Sequence, residues 1–373
     1  SSNSRPVFRH ALIGISIAAL ACLVVLLVLM ASVPPVSRDA LTHHLAIPKL
    51  FLQHGILTEF PNIPFSYYPM NLDLLYLVPL ALGSDIAAKY IHLIFGLLTA
   101  GMIFQYLRRR TNAIWGLAGS LLWLSIPVVV RLATEVYVDL GLAFFSLAAM
   151  CAILRWAEPG GRTRHLVLAG GWCGLALGTK YNALLVLAIL VLLLPFVCFR
   201  LRPLADLFED DLQPKPAEGP LPADSRRIDR HTVTGAMVSA VIFTAVALTV
   251  FSPWMIRDAY LKGNPLYPML NRLFQPDDAA DRHDWSRTAA MVQDTSNTLT
   301  VRRLVFKESP GYIALIPLRV FYEGRDDDPR YFDGKLNPFL LVFMLPALVP
   351  GRFQPRRLAI ECRFWFAFAV LFM

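Results

Sequence analysis

Charge is what this chain has least of. Only 17% of its 373 residues are Asp, Glu, Lys or Arg, against about 25% in a typical soluble domain. Residues 11–33 carry no charged side chain at all. The centres of the later apolar runs are nearly free of charge as well. That weighs against an ion-coupled transporter, whose ionisable groups sit at mid-membrane. Cysteine is scarce too. Cys22, Cys151, Cys173 and Cys198 lie within apolar runs and Cys362 near the start of the last one, which fits neither an extracytoplasmic disulfide framework nor a Cys/His metal spacing. No P-loop, G-x-G-x-x-G, H-E-x-x-H or G-x-S-x-G occurs, so nucleotide hydrolysis has no signature. There is no obvious internal repeat of 20–50 residues.

What is present is apolar and comes in blocks. Hydrophobic residues make up 56% of the chain and mean hydropathy is +0.51, which predicts an all-α polytopic membrane protein. At about 1.5 Å per residue, the 11–33 run reaches roughly 35 Å, enough to cross a bilayer. It is too long for a signal-peptide core of about 7–15 residues, so it reads as a retained first span after a short basic segment. Further spans are expected at 86–107, 113–130, 138–156, 166–178, 182–199, 233–255 and 336–349. A ninth run begins near 358. It reaches the last residue with fewer residues than a span needs, so the sequence is expected to lack further C-terminal structure. The predicted organisation is an N-terminal transmembrane module over 1–199, a flexible loop over 200–231 rich in Pro, Asp and Glu, and a C-terminal module over 232–373.

Two long loops interrupt the spans. Residues 34–84 are too polar for lipid and too apolar for water. Leu41, Leu45, Ile47, Leu50, Phe51 and Leu52 form one broad apolar helix face that ends near Gly55, which predicts a helix lying on the bilayer. The 72–82 stretch is too short to span and reads as interfacial or re-entrant. The second loop covers 257–335. The arginines at 108–110, 162/164, 200/202, 226/227/230 and 352/356/357, with Arg5 and Arg9, all fall on one side if every span crosses. That side is cytoplasmic. The net charge of +8 is therefore a topology signal, with no nucleic acid partner implied. Asp39, Glu135, Lys180 and the 257–335 loop fall on the opposite face.

Four polar groups mark that face. Asp39, in Ser37-Arg38-Asp39-Ala40-Leu41-Thr42-His43-His44, stands four residues before His43, so the two would share an α-helical face. Asp39 is either a dipole-stabilised helix start, or a general base or a carboxylate fixing a phosphate-bound metal. Glu135 and Asp139, also four apart, either snorkel into water or face a cavity. Lys180-Tyr181 is either an anion partner or an interface lysine beside a belt tyrosine. Arg257-Asp258 follows Ser252-Pro253-Trp254, and Arg257 either binds phosphate or marks the end of a span. The acidic run at Asp326-Asp327-Asp328 reads as a solvated loop, since adjacent residues cannot all point at one ion.

The ordered set of these segments resembles the integral-membrane glycosyltransferases of the GT-C fold, the group that includes protein O-mannosyltransferases and bacterial aminoarabinose transferases. Asp39 with Pro48-Lys49 and Gly55 is similar to their first loop. Phe65-Ser66-Tyr67-Tyr68-Pro69 with Asp73 is similar to the segment that follows it in the bacterial branch. The 133–139 stretch resembles the second acidic site, and 174–182 the short hairpin. The segments 252–257, 263–268 and 332–338 resemble later extracytoplasmic elements. The resemblance implies an inner-membrane enzyme that moves a sugar from a polyprenyl phosphate to an extracytoplasmic lipid, glycan or protein acceptor. It implies Asp39 as general base beside His43 or His44, and Glu135 and Asp139 orienting sugar or acceptor. It further implies Lys180, Tyr181 and Arg257 at the donor phosphate, and Tyr67, Tyr68 and Asp73 at the acceptor loop. Many members carry Asp-Glu where this chain has Asp39-Ala40, which leaves a divalent metal open. A lipid-linked oligosaccharide polymerase or ligase, and a non-enzymatic flippase of lipid-linked sugars, are the competing readings.

Overall fold

The structure is a computed structural model that describes residues 4–55, 58–202, 230–274, 298–324, 330–331, 336, 338, 340 and 356–372. Its regular elements are helices. In chain order they are α1 (Ser4–Ala31), α2 (Ala46–His54), α3 (Asn71–Leu75), α4 (Leu77–Ala81), α5 (Asp85–Arg110), α6 (Ala113–Ser125), α7 (Pro127–Ala133) and α8 (Asp139–Trp156). They continue with α9 (Thr163–Leu177), α10 (Ala183–Phe196), α11 (Arg230–Lys262), α12 (Asn271–Phe274), α13 (Thr298–Leu304), α14 (Pro310–Ala314), α15 (Ile316–Arg319) and α16 (Arg356–Phe372). A π-turn, Ala40–His44, precedes α2.

Five helical segments among the described residues are long and apolar enough to cross a membrane: Val7–Ala31, Asp85–Arg110, Asp139–Trp156, Ala183–Leu201 and Val233–Lys262. The α6–α7 pair makes a sixth if counted as one bent span, broken by 70°. The break follows from sequence. Pro127 opens α7, and Ile126 before it takes an extended conformation (φ −65°, ψ 124°), because proline disfavours the helical region for its predecessor. The span expected at 166–178 is α9, a helix of 15 residues, and the ninth run is α16, of 17 residues. Both are shorter than the roughly 20 residues a perpendicular crossing needs. Most of the span expected at 336–349, residues 203–229 of the expected loop and the Asp326-Asp327-Asp328 run lie outside the described residues, as does most of the 332–338 motif.

The seventh expected span differs most. The helix does not stop at 255 but runs unbroken through Pro253 to Lys262, and Gly263 (φ +66°) terminates it. Arg257 and Asp258 are therefore helical residues, not the start of a loop.

The chain divides into two compact units. The first holds Ser1–Gly141 with Ser252–Leu340, the second Leu142–Phe251 with Leu341–Met373. In the first, α1, α5, α6 and α7 pack around Leu27, Ala31, Leu93, Leu124, Val129 and Leu140. Ser120 donates to the Ala100 carbonyl (2.8 Å) and Trp123 Nε1 to that of Gly96 (3.1 Å), so α6 is tied to α5 by polar contacts inside apolar packing. α5 starts on the Ser84 cap, which accepts from Ala87 N–H. It ends in Arg108, Arg109 and Arg110, charges that suit the negative end of the helix dipole.

In the second unit, α9 lies against α11 through Gly170 and Gly174. A β-carbon on Gly170 would come 2.8 Å from the Phe243 carbonyl, and one on Gly174 would come 2.6 Å from that of Ala247. Small residues four apart let two helix backbones approach where lipid supplies no hydrophobic drive. Trp172 stacks on Phe145 (6.0 Å). Glu361, fully buried, pairs with Arg357 (3.0 Å), which also donates to the Ala157 carbonyl.

Candidate functional site

The first loop folds around a π-turn. Leu45 N–H bonds the Ala40 carbonyl, five residues back, at 2.9 Å. Single π-turns inside helices recur at functional sites. A turn closed five residues apart changes which side chains align. The α-helical spacing pairs Asp39 with His43, whereas the π register sets His44 on the turn above Asp39. That register corrects the expected Asp39–His43 face. Asp39 itself is exposed and makes no capping bond. His43 turns away to stack on Phe65 (4.6 Å, 17°), its ring 4.0 Å from that of His44.

His44 is buried against α3. Its Nδ1–H donates to Asp73 Oδ1 at 2.6 Å, and both side chains are under 10% exposed. An ionised carboxylate can only accept, so against it the ring donates from Nδ1, and in the neutral imidazole Nε2 is then the acceptor. Among the described residues Nε2 has no hydrogen-bond partner. Tyr137 closes this corner, its ring 5.8 Å from His44. Burial raises the Tyr137 phenol, a Ser37 hydrogen bond opposes this, and the Asp39 and Glu135 carboxylates raise it further. Asp39 and Glu135 thus act on one phenol, whose ring also faces that of His44. Tyr76, fully buried beside α3, donates to the Tyr137 carbonyl. Its phenol is pushed well up, first by burial and then by Asp73 and Asp139.

The second acidic segment is a clamped bend. Glu135 precedes α8 and Asp139 begins it, so the two do not share a helical face as their spacing predicts. The bend is held by His92 of α5. Its Nδ1–H donates to the carbonyls of Leu132 (2.8 Å) and Glu135 (3.2 Å), and its Nε2 accepts from Leu140 N–H (3.0 Å). Both ring nitrogens are used, so His92 is a neutral strut. Lys89, one turn earlier and 1% exposed, donates to the Val33 carbonyl just beyond α1 (2.9 Å). Glu135 Oε2 is buried with no hydrogen-bond partner among the described residues. A buried carboxylate oxygen left so costs free energy unless a ligand satisfies it.

The end of α11 carries a second orphan. Trp254 Nε1 donates to Asn71 Oδ1 at 2.8 Å, which ties α11 to the helix that bears Asp73. Arg257 sits beside Trp254 (5.9 Å). Its Nη1 donates to Asp258 Oδ1 at 3.3 Å, and its side chain is 8% exposed. Nε and Nη2, the edge that forks onto an oxyanion, are buried and have no hydrogen-bond partner among the described residues. The field of Arg257 reaches Glu59 and Tyr67. There Lys262 pairs with Glu59 (2.5 Å), Tyr67 donates to Glu59 (2.6 Å), and Tyr67 meets Tyr267 edge-on (5.0 Å). Lys262 and the Tyr67 hydroxyl hold the Glu59 carboxyl below its ordinary range. Tyr67 is raised by burial and by Glu59, Tyr68 by burial and Tyr267.

The first unit thus holds Asp39, His43, His44, Tyr67, Tyr68, Asp73, Glu135, Asp139 and Arg257. Lys180 and Tyr181 belong to the second unit, on the hairpin between α9 and α10, where Tyr181 packs on Phe251 (6.4 Å). His92, Lys89, Glu59, Tyr76, Tyr137 and Lys262 are contributors that the sequence reading did not single out. The available signal was an ionisable group inside an apolar run, which applies to Lys89 and His92. Among the described residues no three His, Cys, Asp or Glu side chains converge as a metal cage.

Residues 77–203 match the family described as dolichyl-phosphate-mannose-protein mannosyltransferase. The matched stretch contains Glu135, Asp139, Lys180 and Tyr181, and ends before Arg257. No curated protein and no solved structure matches the chain.

Proposed function

We propose that this protein is a membrane glycosyltransferase that moves a sugar from a polyprenyl-phosphate donor to an extracytoplasmic lipid, glycan or protein acceptor. The observation that carries the reading is Arg257. A guanidinium more than nine-tenths buried, with its Nε/Nη2 edge unpartnered among the described residues, lies near the end of a long apolar helix. Two parallel N–H donors match a phosphate oxyanion. The leaving group of the proposed reaction is a phosphate at the membrane surface, and a fixed cation there stabilises the charge that develops as the glycosidic bond breaks.

The acidic side of the site faces the acceptor in this reading. Asp39 is exposed, so a hydroxyl can approach it, and the family resemblance makes it the general base. Glu135, with its buried free oxygen, and Asp139 orient sugar or acceptor hydroxyls. Tyr67 and Tyr68 line the acceptor side. Lys180 and Tyr181 are assigned to the donor by the resemblance alone.

The test is transfer itself. Purified protein in liposomes is given a labelled polyprenyl-phosphate sugar, and release of polyprenyl phosphate is followed together with mass spectrometry of cell-envelope glycans and glycolipids with and without the gene. Asp39→Asn is expected to remove transfer and Arg257→Gln to weaken it, while the protein stays folded in the membrane. Sugar movement across the bilayer without bond cleavage would replace this reading with a flippase, and an oligosaccharide-length product would replace it with a polymerase or ligase.

A further inference from the structure

We infer that the buried His44–Asp73 pair is the proton-accepting centre of this site, with Nε2 of His44 as the atom that takes the acceptor's proton. The inference rests on the transfer reading above and moves the general-base role from Asp39 to its neighbour on the π-turn.

Three observations carry it. The Nδ1–H of His44 is locked onto Asp73 Oδ1 at 2.6 Å, so the ring has one orientation and one tautomer. Nε2 has no partner among the described residues, unlike His92, whose two nitrogens are both consumed by backbone. The π register sets His44 one turn above Asp39, so the two groups border the same space beside Tyr137. A carboxylate behind an imidazole fixes its tautomer and stabilises the imidazolium that forms.

The step balances without a further reactant. The acceptor oxygen bonds the anomeric carbon as the bond from that carbon to the phosphate oxygen breaks, and the bonding pair leaves with polyprenyl phosphate. The hydroxyl proton passes to His44 Nε2, and Asp73 offsets the imidazolium charge. Asp39, one turn earlier, orients the acceptor.

His44→Asn separates this role from a structural one. The asparagine amide can still donate to Asp73 from the place of Nδ1 but offers nothing at Nε2. With the transfer assay above, His44→Asn is expected to lower kcat at least 100-fold, with donor KM within about threefold and an unchanged melting temperature in detergent. Asp73→Asn is expected to lower kcat by a factor of ten or more. If His44→Asn keeps wild-type kcat while Asp39→Asn loses it, Asp39 is the base and the pair only holds the loop, which overturns the inference. If the wild-type protein releases no polyprenyl phosphate from any donor, the transfer reading itself fails, and the inference falls with it. Should His44→Asn melt early, His44→Gln is measured in the same way, and a folded His44→Gln with wild-type kcat is equally refuting.

Discussion

The α9–α11 crossing allows a prediction with its own internal control. Gly170, Gly171 and Gly174 stand on one helix, but their surroundings differ. A β-carbon at Gly171 meets nothing within 4 Å, at Gly170 it comes 2.8 Å from the Phe243 carbonyl and 2.9 Å from Val246 Cβ, and at Gly174 it comes 2.6 Å from both the Ala247 carbonyl and Val250 Cβ. Carbon atoms pack favourably at about 3.5–4.0 Å, so the Gly174→Ala change forces the helices apart by roughly 1 Å. Overpacking of this kind costs about 1–3 kcal/mol. Every Gly→Ala change in a helix also gains up to ~1 kcal/mol of propensity, and that gain is common to all three. Gly171→Ala is therefore expected to stabilise slightly. Gly174→Ala should fall about 1–3 kcal/mol below it, and Gly170→Ala between them. At roughly 2–4 °C per kcal/mol for units of this order of size, the separation is several degrees. It is read by heating each purified variant in detergent and following the monodisperse fraction. If Gly174→Ala melts at or above Gly171→Ala, the close backbone approach is wrong.

Three further outcomes follow from the site. Arg257→Gln removes the free guanidinium fork, and a hydrogen bond between charged groups is worth about 1.5–3 kcal/mol. Donor kcat/KM should fall roughly 10- to 150-fold, and Arg257→Lys should recover little of it because an ammonium lacks the fork; full recovery by lysine would refute bidentate binding. His92→Ala leaves Leu140 N–H and two carbonyls without their partner, so both stability, by about 1–3 kcal/mol, and transfer should fall, read by melting and assay together. The third concerns Glu308, which bonds Arg319 (3.0 Å) and Arg302 (3.0 Å) and is held below its ordinary value of 4.5, chiefly by Arg319. A depressed folded value means that its stabilisation is complete above pH 4.5 and is lost as pH falls through the folded value. Melting temperature should drop on the acid side of 4.5, and Glu308→Gln should flatten that drop; an unchanged acid limb in the variant would remove Glu308 as its cause.

Much of the architecture was legible in the order of the residues. Residues 11–33 and 86–107 appear as long helices because an uncharged or nearly uncharged run of that length must satisfy its own backbone in lipid. The apolar face at 41–52 and the Gly55 stop appear as the π-turn and α2. Pro127 hid a 70° break inside an apparently continuous run at 113–130, because hydropathy ignores the restriction that proline places on Ile126. The helical continuation through Pro253 to Lys262 was hidden for the opposite reason. Polar residues after Trp254 read as a loop, yet Arg257 and Asp258 find cover within the first unit.

The sequence alone determined which groups were available: Asp39, two adjacent histidines, an acidic pair at 135 and 139, a tyrosine-rich loop with Asp73, and Arg257. It determined this because scarce charge makes every polar residue in an apolar chain conspicuous. Only the tertiary structure decided their partners. Spacing offered His43 to Asp39, but one extra residue in the turn sets His44 there instead. His44 and Asp73 are 29 residues apart, a separation that no local periodicity encodes. His92 looks like an anomaly in an apolar span until the 132–140 backbone closes over both its nitrogens. Arg257 looks like the end of a span until burial leaves its outer edge without a partner among the described residues.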